Sequence, residues 1–149
     1  MNEFNPFDDK LAGLIAAISP PSRRKLAAEI AKQLRRSQQQ RIKQQKAPDG
    51  TPYQSRKSQP LRAKSGRIKR AMFQKLRTSL YMKASGRNDA AVVDFTGKVQ
   101  RIAQIHQLGL KDRPNPHAQD VQYPERQLLG LSQDDKQLVE ELVIRHLAG

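Results

Sequence analysis

"LYMKASGRNDAAVVDF", Leu80 to Phe95, separates a mixed fold from an all-helical one. Leu80, Met82 and Ala84 alternate with Tyr81 and Lys83, the period of two that places side chains on opposite faces of a strand. Gly86-Arg87-Asn88-Asp89 supplies turn chemistry, and Ala91, Val93 and Phe95 alternate again. The spacing predicts a hairpin over about 79–95 with one apolar face to bury. On its N-terminal side, Ile68, Met72 and Leu76 recur at helical spacing within Arg67 to Thr78, with Phe73 alongside. On its C-terminal side, Val99, Ile102 and Ile105 mark a helix over Lys98 to Leu108, and Gly109 is a natural residue to stop it.

Further out, Ser22 reads as an N-cap for a long helix whose stripe runs through Leu26, Ile30 and Leu34, widened by Ala27 and Ala31. Gln38 takes the next slot and Ile42 the one after. Helix from Ser22 to Gln45 would be about 36 Å long, its second half polar all round, as in a projecting helix awaiting a partner or a frayed one. Ala47 to Gly66, punctuated by Pro48, Gly50, Pro52 and Pro60, has no periodicity and reads as a loop. Residues 38–66 are thus expected to form a mobile helix-loop, within a long basic helix and loop over about 22–66. Asp8 to Ile18 is a short helix ended by Pro20 and Pro21.

At the other end, Leu110 to Pro124 is a loop broken by Pro114 and Pro116, and Val121 to Leu129 suggests a third strand that Pro124 confines to an edge. "YPERQLLGLSQDD", Tyr123 to Asp135, holds an extended run, Arg126 to Leu129, halted at Gly130. Ser132 with Asp135 three residues on is a variant capping box. It opens a helix with Leu138, Val139, Leu142, Val143 and Leu147 on one face, acids at its start, and Arg145 and His146 at its end, each favoured by the helix dipole. The expected fold class is α+β: a small antiparallel sheet covered by helices, in a single domain of residues 1–149.

Charge is the strongest compositional signal. The chain carries 28 Lys and Arg against 14 Asp and Glu, a formal net charge of +14. About twenty of the cations lie between Arg23 and Arg87, where the only acids are Glu29 and Asp49. Such a field attracts nucleic acid or an acidic protein surface. The exposed basic set is expected to include Arg35, Arg36, Arg41, Lys43, Lys46, Arg56 and Lys57. With 36% hydrophobic and 5% aromatic residues the core must be lean, and stacking platforms for single strands are poorly supplied. There is no cysteine, so no disulfide framework and no thiolate zinc site. No apolar run approaches the ~20 residues that cross a bilayer, and "MNEFNPFDDK" lacks the pattern of a secretory signal, so a soluble protein made in a cytoplasm, with no membrane partner, is expected.

The histidines His106, His117 and His146 share no ligand spacing, and no phosphate loop or nucleophile elbow is present. The residues assemble no nucleophile, base and oxyanion hole. The expectation is a protein that is not an enzyme and takes no metal or cofactor.

"AMFQKLRTSLYMKASGRNDAAVVDF", "IAQIHQLGL" and "YPERQLLGLSQDD", preceded by "KAPDGTPYQSRK", resemble the phage virion morphogenesis family in motif and spacing over Arg41 to Leu147. Leu108 departs from the family's pattern, which often has an aromatic there. The resemblance implies a structural virion protein that completes the head-proximal end of the tail and enables head-tail joining. It further implies a homo-oligomeric ring, a hexamer, around the DNA channel, with the tail tube or terminator protein and the head-completion or neck proteins as partners. It would reside in the virion tail or neck, and in the host cytoplasm during assembly. His106, Gln107, Gly109, Tyr123, Pro124, Arg126 and Gly130 are then fold and interface determinants. Non-specific contact with DNA stays open, and the rival is a basic cytoplasmic nucleic-acid-binding protein.

Overall fold

The computed structural model describes residues 9, 13, 18–55, 71–87 and 89–148. Its elements are α1 (Pro20–Lys43), β1 (Met82–Gly86), β2 (Ala91–Phe95), α2 (Gln100–Leu108), β3 (Lys111–Asp112), β4 (Val121–Gln122) and α3 (Gln133–Ala148). The fold class is α+β, as the alternation in 80–95 required. The strands form two separate two-stranded sheets, β1 with β2 and β3 with β4. The third strand therefore differs from expectation. It shortens to Val121–Gln122 and pairs antiparallel with Lys111–Asp112, because Pro124 has no N–H to extend the ladder.

Contacts divide the chain into two compact units. One takes residues up to Ser37, Lys83–Asp94 and residues from Leu131; the other takes Gln38–Met82 and Phe95–Gly130. In the first unit Leu26 and Ile30 of α1 meet Val139, Leu142 and Val143 of α3, with Ile18, Leu34 and Leu138 at the margin. Both stripes are the ones the four-residue spacing marks. α1 starts two residues earlier than Ser22, however. The Arg23 N–H reaches Ser19 O at 2.8 Å, so Pro20 and Pro21 open the helix. Proline suits a first turn, where the missing N–H has no intrahelical acceptor anyway. Of the helix expected over Asp8 to Ile18, only Asp9 and Gly13, both helical, and the bend residue Ile18 are described.

Gly86 ends β1 hard against α1. A Cβ there would stand 2.2 Å from Ala28 N and 2.6 Å from its Cα, so the approach of strand to helix demands glycine. α3 begins with a full reciprocal cap: the Asp135 N–H donates to Ser132 Oγ at 3.0 Å, and the Ser132 N–H to Asp135 Oδ2 at 3.0 Å. Asp135 is not the exposed dipole charge that its position suggested. It is only 1% exposed, and its Oδ1 accepts a bond from Ser37 Oγ of α1. A single carboxylate thus caps one helix and ties it to another.

In the second unit Ile42, Met72, Met82, Phe95, Ala103, Ile105 and Leu128 are buried. The helix expected through Thr78 is absent from its described part: Ala71 to Thr78 is a series of bends and turns. Phe73 has φ +67°, which breaks the helical path despite favourable spacing. Residues 67–70 lie outside the described residues. α2 closes as read, with Gly109 left-handed at φ 67° and its N–H on Ile105 O.

Candidate functional site

The motif residues converge on one feature of the second unit, the strap Tyr123–Gly130. It has extended stretches but no strand partner among the described residues, and other groups meet its backbone N–H and C=O. Side chains do most of this. Gln107, at the end of α2, accepts at Oε1 from the N–H groups of Leu128 (2.8 Å) and Leu129 (2.9 Å), and its Nε2 donates to Leu129 O at 2.9 Å. The Arg126 N–H donates to His106 O at 2.7 Å, meeting a carbonyl in the last turn of α2. The Tyr123 N–H takes Leu110 O at 3.1 Å.

The other side of the strap is held by the last turns of α1 and the segment after it. Gln38 Oε1 accepts from the Gly130 N–H at 3.1 Å and from Arg41 Nη2. Arg41 Nη2 also donates to Leu128 O at 3.0 Å, and Nη1 to Lys46 O at 3.3 Å. Gln38 is 3% exposed and Arg41 9%. Two expectations are corrected here. The second half of α1 does not project, and Arg41 leaves the basic surface. The signal for Gln38 was present: it occupies the stripe position after Leu34, and burial followed the stripe rather than the polarity.

"KAPDGTPY" explains how Tyr53 arrives. The Gly50 N–H closes a turn on Ala47 O (2.9 Å), Gly50 has φ 89°, and the Ala47 N–H returns to Thr51 O (2.8 Å). The Thr51 N–H donates to the Asp49 carboxylate at 2.9 Å and holds it below its ordinary value. The turn sends Tyr53 inward, where its hydroxyl donates to Gln127 O at 2.7 Å. Burial pushes the Tyr53 pKa up to about 12, against the opposing Arg41 charge, so the phenol stays a donor at neutral pH. Arg126 completes the clasp through Nε to Gln54 O (2.8 Å) and Nη2 to Ser55 O (3.4 Å).

Four rings run edge-to-face beneath the strap. Tyr53 and Phe73 lie 5.7 Å apart, Phe73 and His106 4.9 Å, and His106 and Tyr123 5.2 Å. Such pairs contribute roughly 0.5–1.5 kcal/mol each beyond area burial. The spacing places Phe73 only alongside a helical stripe; its left-handed backbone, invisible to periodicity, aims it here. Close approach accounts for two glycines: a Cβ at Gly109 would meet Glu125 N at 2.9 Å, and one at Gly130 would meet Pro48 Cγ at 2.7 Å. Pro124 is half-buried between Tyr123 and Glu125. All seven motif residues therefore belong to one construction.

The basic set does not gather in this way. Arg36, Lys43 and Lys46 are exposed, Arg35 is half-buried, and Arg56 and Lys57 lie outside the described residues. Leu108, where the family pattern favours an aromatic, is 59% exposed. His117 lies exposed in the loop before β4, with its N–H on Asn115 Oδ1. Among the described residues no three His, Asp or Glu side chains converge to hold a metal ion, and no helix is long and apolar enough to cross a membrane. The strap's bonds satisfy backbone groups, and their chemistry is that of a structural clasp.

Comparison with known proteins adds an independent finding. The sequence profile of the phage virion morphogenesis family matches residues 2–148. Tail completion protein S of Escherichia phage P2 is 47% identical over 148 residues, covering 99% of each chain. No solved structure matches.

Proposed function

The chain belongs to the phage virion morphogenesis family, and on that premise we propose that it is a structural protein of the virion tail that completes the tail for joining to the head. The observation that carries this reading is the 47% identity to a tail completion protein, which spans 99% of both chains. The relationship gives no support to the alternative, a basic cytoplasmic nucleic-acid-binding protein. The role is one of assembly and not catalysis, and its partners are other tail and head proteins.

At finer grain, the reading is of a homo-oligomeric ring, sixfold, at the head-proximal end of the tail. There it would lie between the tail tube or terminator and the neck proteins, around the channel through which DNA passes. Six large apolar side chains stay exposed in the described residues: Leu80, Ile102, Leu108, Leu110, Ile144 and Leu147. A subunit that meets neighbours on several sides needs such contact surface outside its own core. Storage in the host cytoplasm suits the basic charge, which keeps subunits apart until a tail end offers a complementary surface.

The test is a phage lacking the protein, viewed by electron microscopy. Filled heads beside separate, unjoined tails are expected, and purified protein added to the lysate should restore joining. Joined particles without the protein would overturn the reading. Empty heads beside normal tails would do so as well, because that defect lies in DNA packaging.

A further inference from the structure

We propose that the exposed face of α1 between Arg24 and Arg36 binds the phosphate backbone of duplex DNA without reading its sequence. Only the location of this contact, at the DNA channel of the tail, rests on the tail-completion reading. The binding itself rests on the helix. Lys25, Lys32 and Arg36 are exposed and follow one another at seven and four residues, so at 100° per residue they fall within about 40° of one another on the helix. Their backbone positions span about 16 Å along the axis. Arg24 and Arg35, eleven residues apart, align in a second row beside the first. One acid interrupts the face, Glu29, whose carboxylate accepts from Gln33 Nε2 at 3.0 Å.

Lys25, Lys32 and Arg36 stay exposed beside the β1–β2 hairpin. Gly86 packs on the helix backbone at Ala27 and Ala28, which at 100° per residue lies on the side of the Arg24–Arg35 row. The exposed charges of the hairpin, Lys83 and Arg87 against Asp89 and Asp94, balance in number. The face therefore presents a dense positive field with little internal neutralisation.

An acidic protein is the other class of partner that such a field attracts, and the side chains here argue against it. Protein interfaces are anchored by aromatic or aliphatic groups and are depleted in lysine. Every exposed large apolar residue among the described ones lies outside α1, and the only apolar group on this face is Ala28. Phosphate recognition needs no such anchor. A duplex carries a negative charge every ~1.7 Å of axis, so a row of cations finds phosphates at almost any register. With no aromatic on the face, stacking on single strands is disfavoured, and contacts made to phosphates position a protein on the duplex without reading its sequence. That independence suits a protein past which a whole genome moves.

The experiment measures full-length protein binding a fluorescent mixed-sequence duplex of about 30 base pairs across a salt series. Wild type should bind with a steep dependence of log K on log salt. Lys25→Gln/Lys32→Gln/Arg36→Gln should weaken binding about tenfold or more at low salt and flatten the slope by about 2 to 3, near 0.9 per lost phosphate contact. Its thermal midpoint should stay close to wild type. A control of equal charge loss, Lys111→Gln/Arg113→Gln/Arg145→Gln, should bind nearly as wild type does. Three outcomes overturn the proposal: no binding by wild type, equal losses in both triple variants, or displacement of DNA by polyglutamate at matched charge. Both proteins are also added to tail lysates lacking the protein. Wild type that fails to restore joining speaks against the tail-completion reading, whereas wild type that restores joining yet does not bind DNA sinks this inference alone.

Discussion

Tyr53 shows how one residue joins segments distant in sequence. Its hydroxyl bonds Gln127 O, its ring touches Phe73, and burial raises its pKa to about 12. Because the unfolded phenol ionises near 10, the unfolded chain holds fewer protons than the folded one between about pH 10 and 12. Stability from this group is therefore complete below pH 10 and is lost as pH rises towards 12, by up to about 2–3 kcal/mol. Tyr53→Phe should lose about 1 kcal/mol at pH 7 through the missing hydrogen bond. Its denaturant midpoint should then fall less than that of wild type from pH 9.5 to 11.5. Parallel curves for the two proteins would show that the phenol is not desolvated. The aromatic after "PDGTP" was legible as a motif, but its partner carbonyl, 74 residues away, was not.

At the scale of elements, α1 and α3 illustrate what amphipathic spacing conveys. The stripes Leu26–Ile30–Leu34 and Leu138–Val139–Leu142–Val143 meet as their spacing implied. Leu142→Ala should cost roughly 2–5 kcal/mol, lowering the thermal midpoint by roughly 4–20 °C. Arg36→Ala, on the solvent side of α1, should stay within about 0.5 kcal/mol of wild type. Equal destabilisation by the two would mean that α1 is turned the wrong way round. The strap Tyr123–Gly130 is the opposite case. Its apolar and extended character suggested a strand as far as Leu129, yet Gln107, Gln38, Arg41 and Tyr53 supply the bonds that a neighbouring strand would give. No local pattern marks a side-chain amide as the partner of a backbone many residues away. Those bonds also bear on the helix-loop expected over 38–66. Amides of Tyr53, Leu128 and Gly130 should exchange slowly in the free subunit; fast exchange at all three would mean the clasp closes only on assembly.

For the whole molecule, the ring reading carries a prediction of mass. Purified subunit at low concentration should sediment near its 16.9 kDa monomer mass, and rising concentration or tail ends should drive it to a closed oligomer, since each added subunit gains contacts with neighbours already held. A fixed dimer under all conditions would contradict a ring. The sequence by itself determined the α+β class, the course of both long helices, the end of α2 at Gly109 and the cap at Ser132. These depend on interactions within a few residues, where periodicity and turn chemistry decide. Family membership was legible as well, because the spacing of motifs survives substitution between them. Only the tertiary structure decided that Arg41 and Gln38 are buried, that Asp135 reaches Ser37, that Phe73 completes a ladder of rings, and that distant side chains bond the backbone of the strap. A polar side chain is buried only when a partner meets its desolvation cost of about 1–3 kcal/mol, and that partner is chosen by the fold, not by its neighbours in the chain.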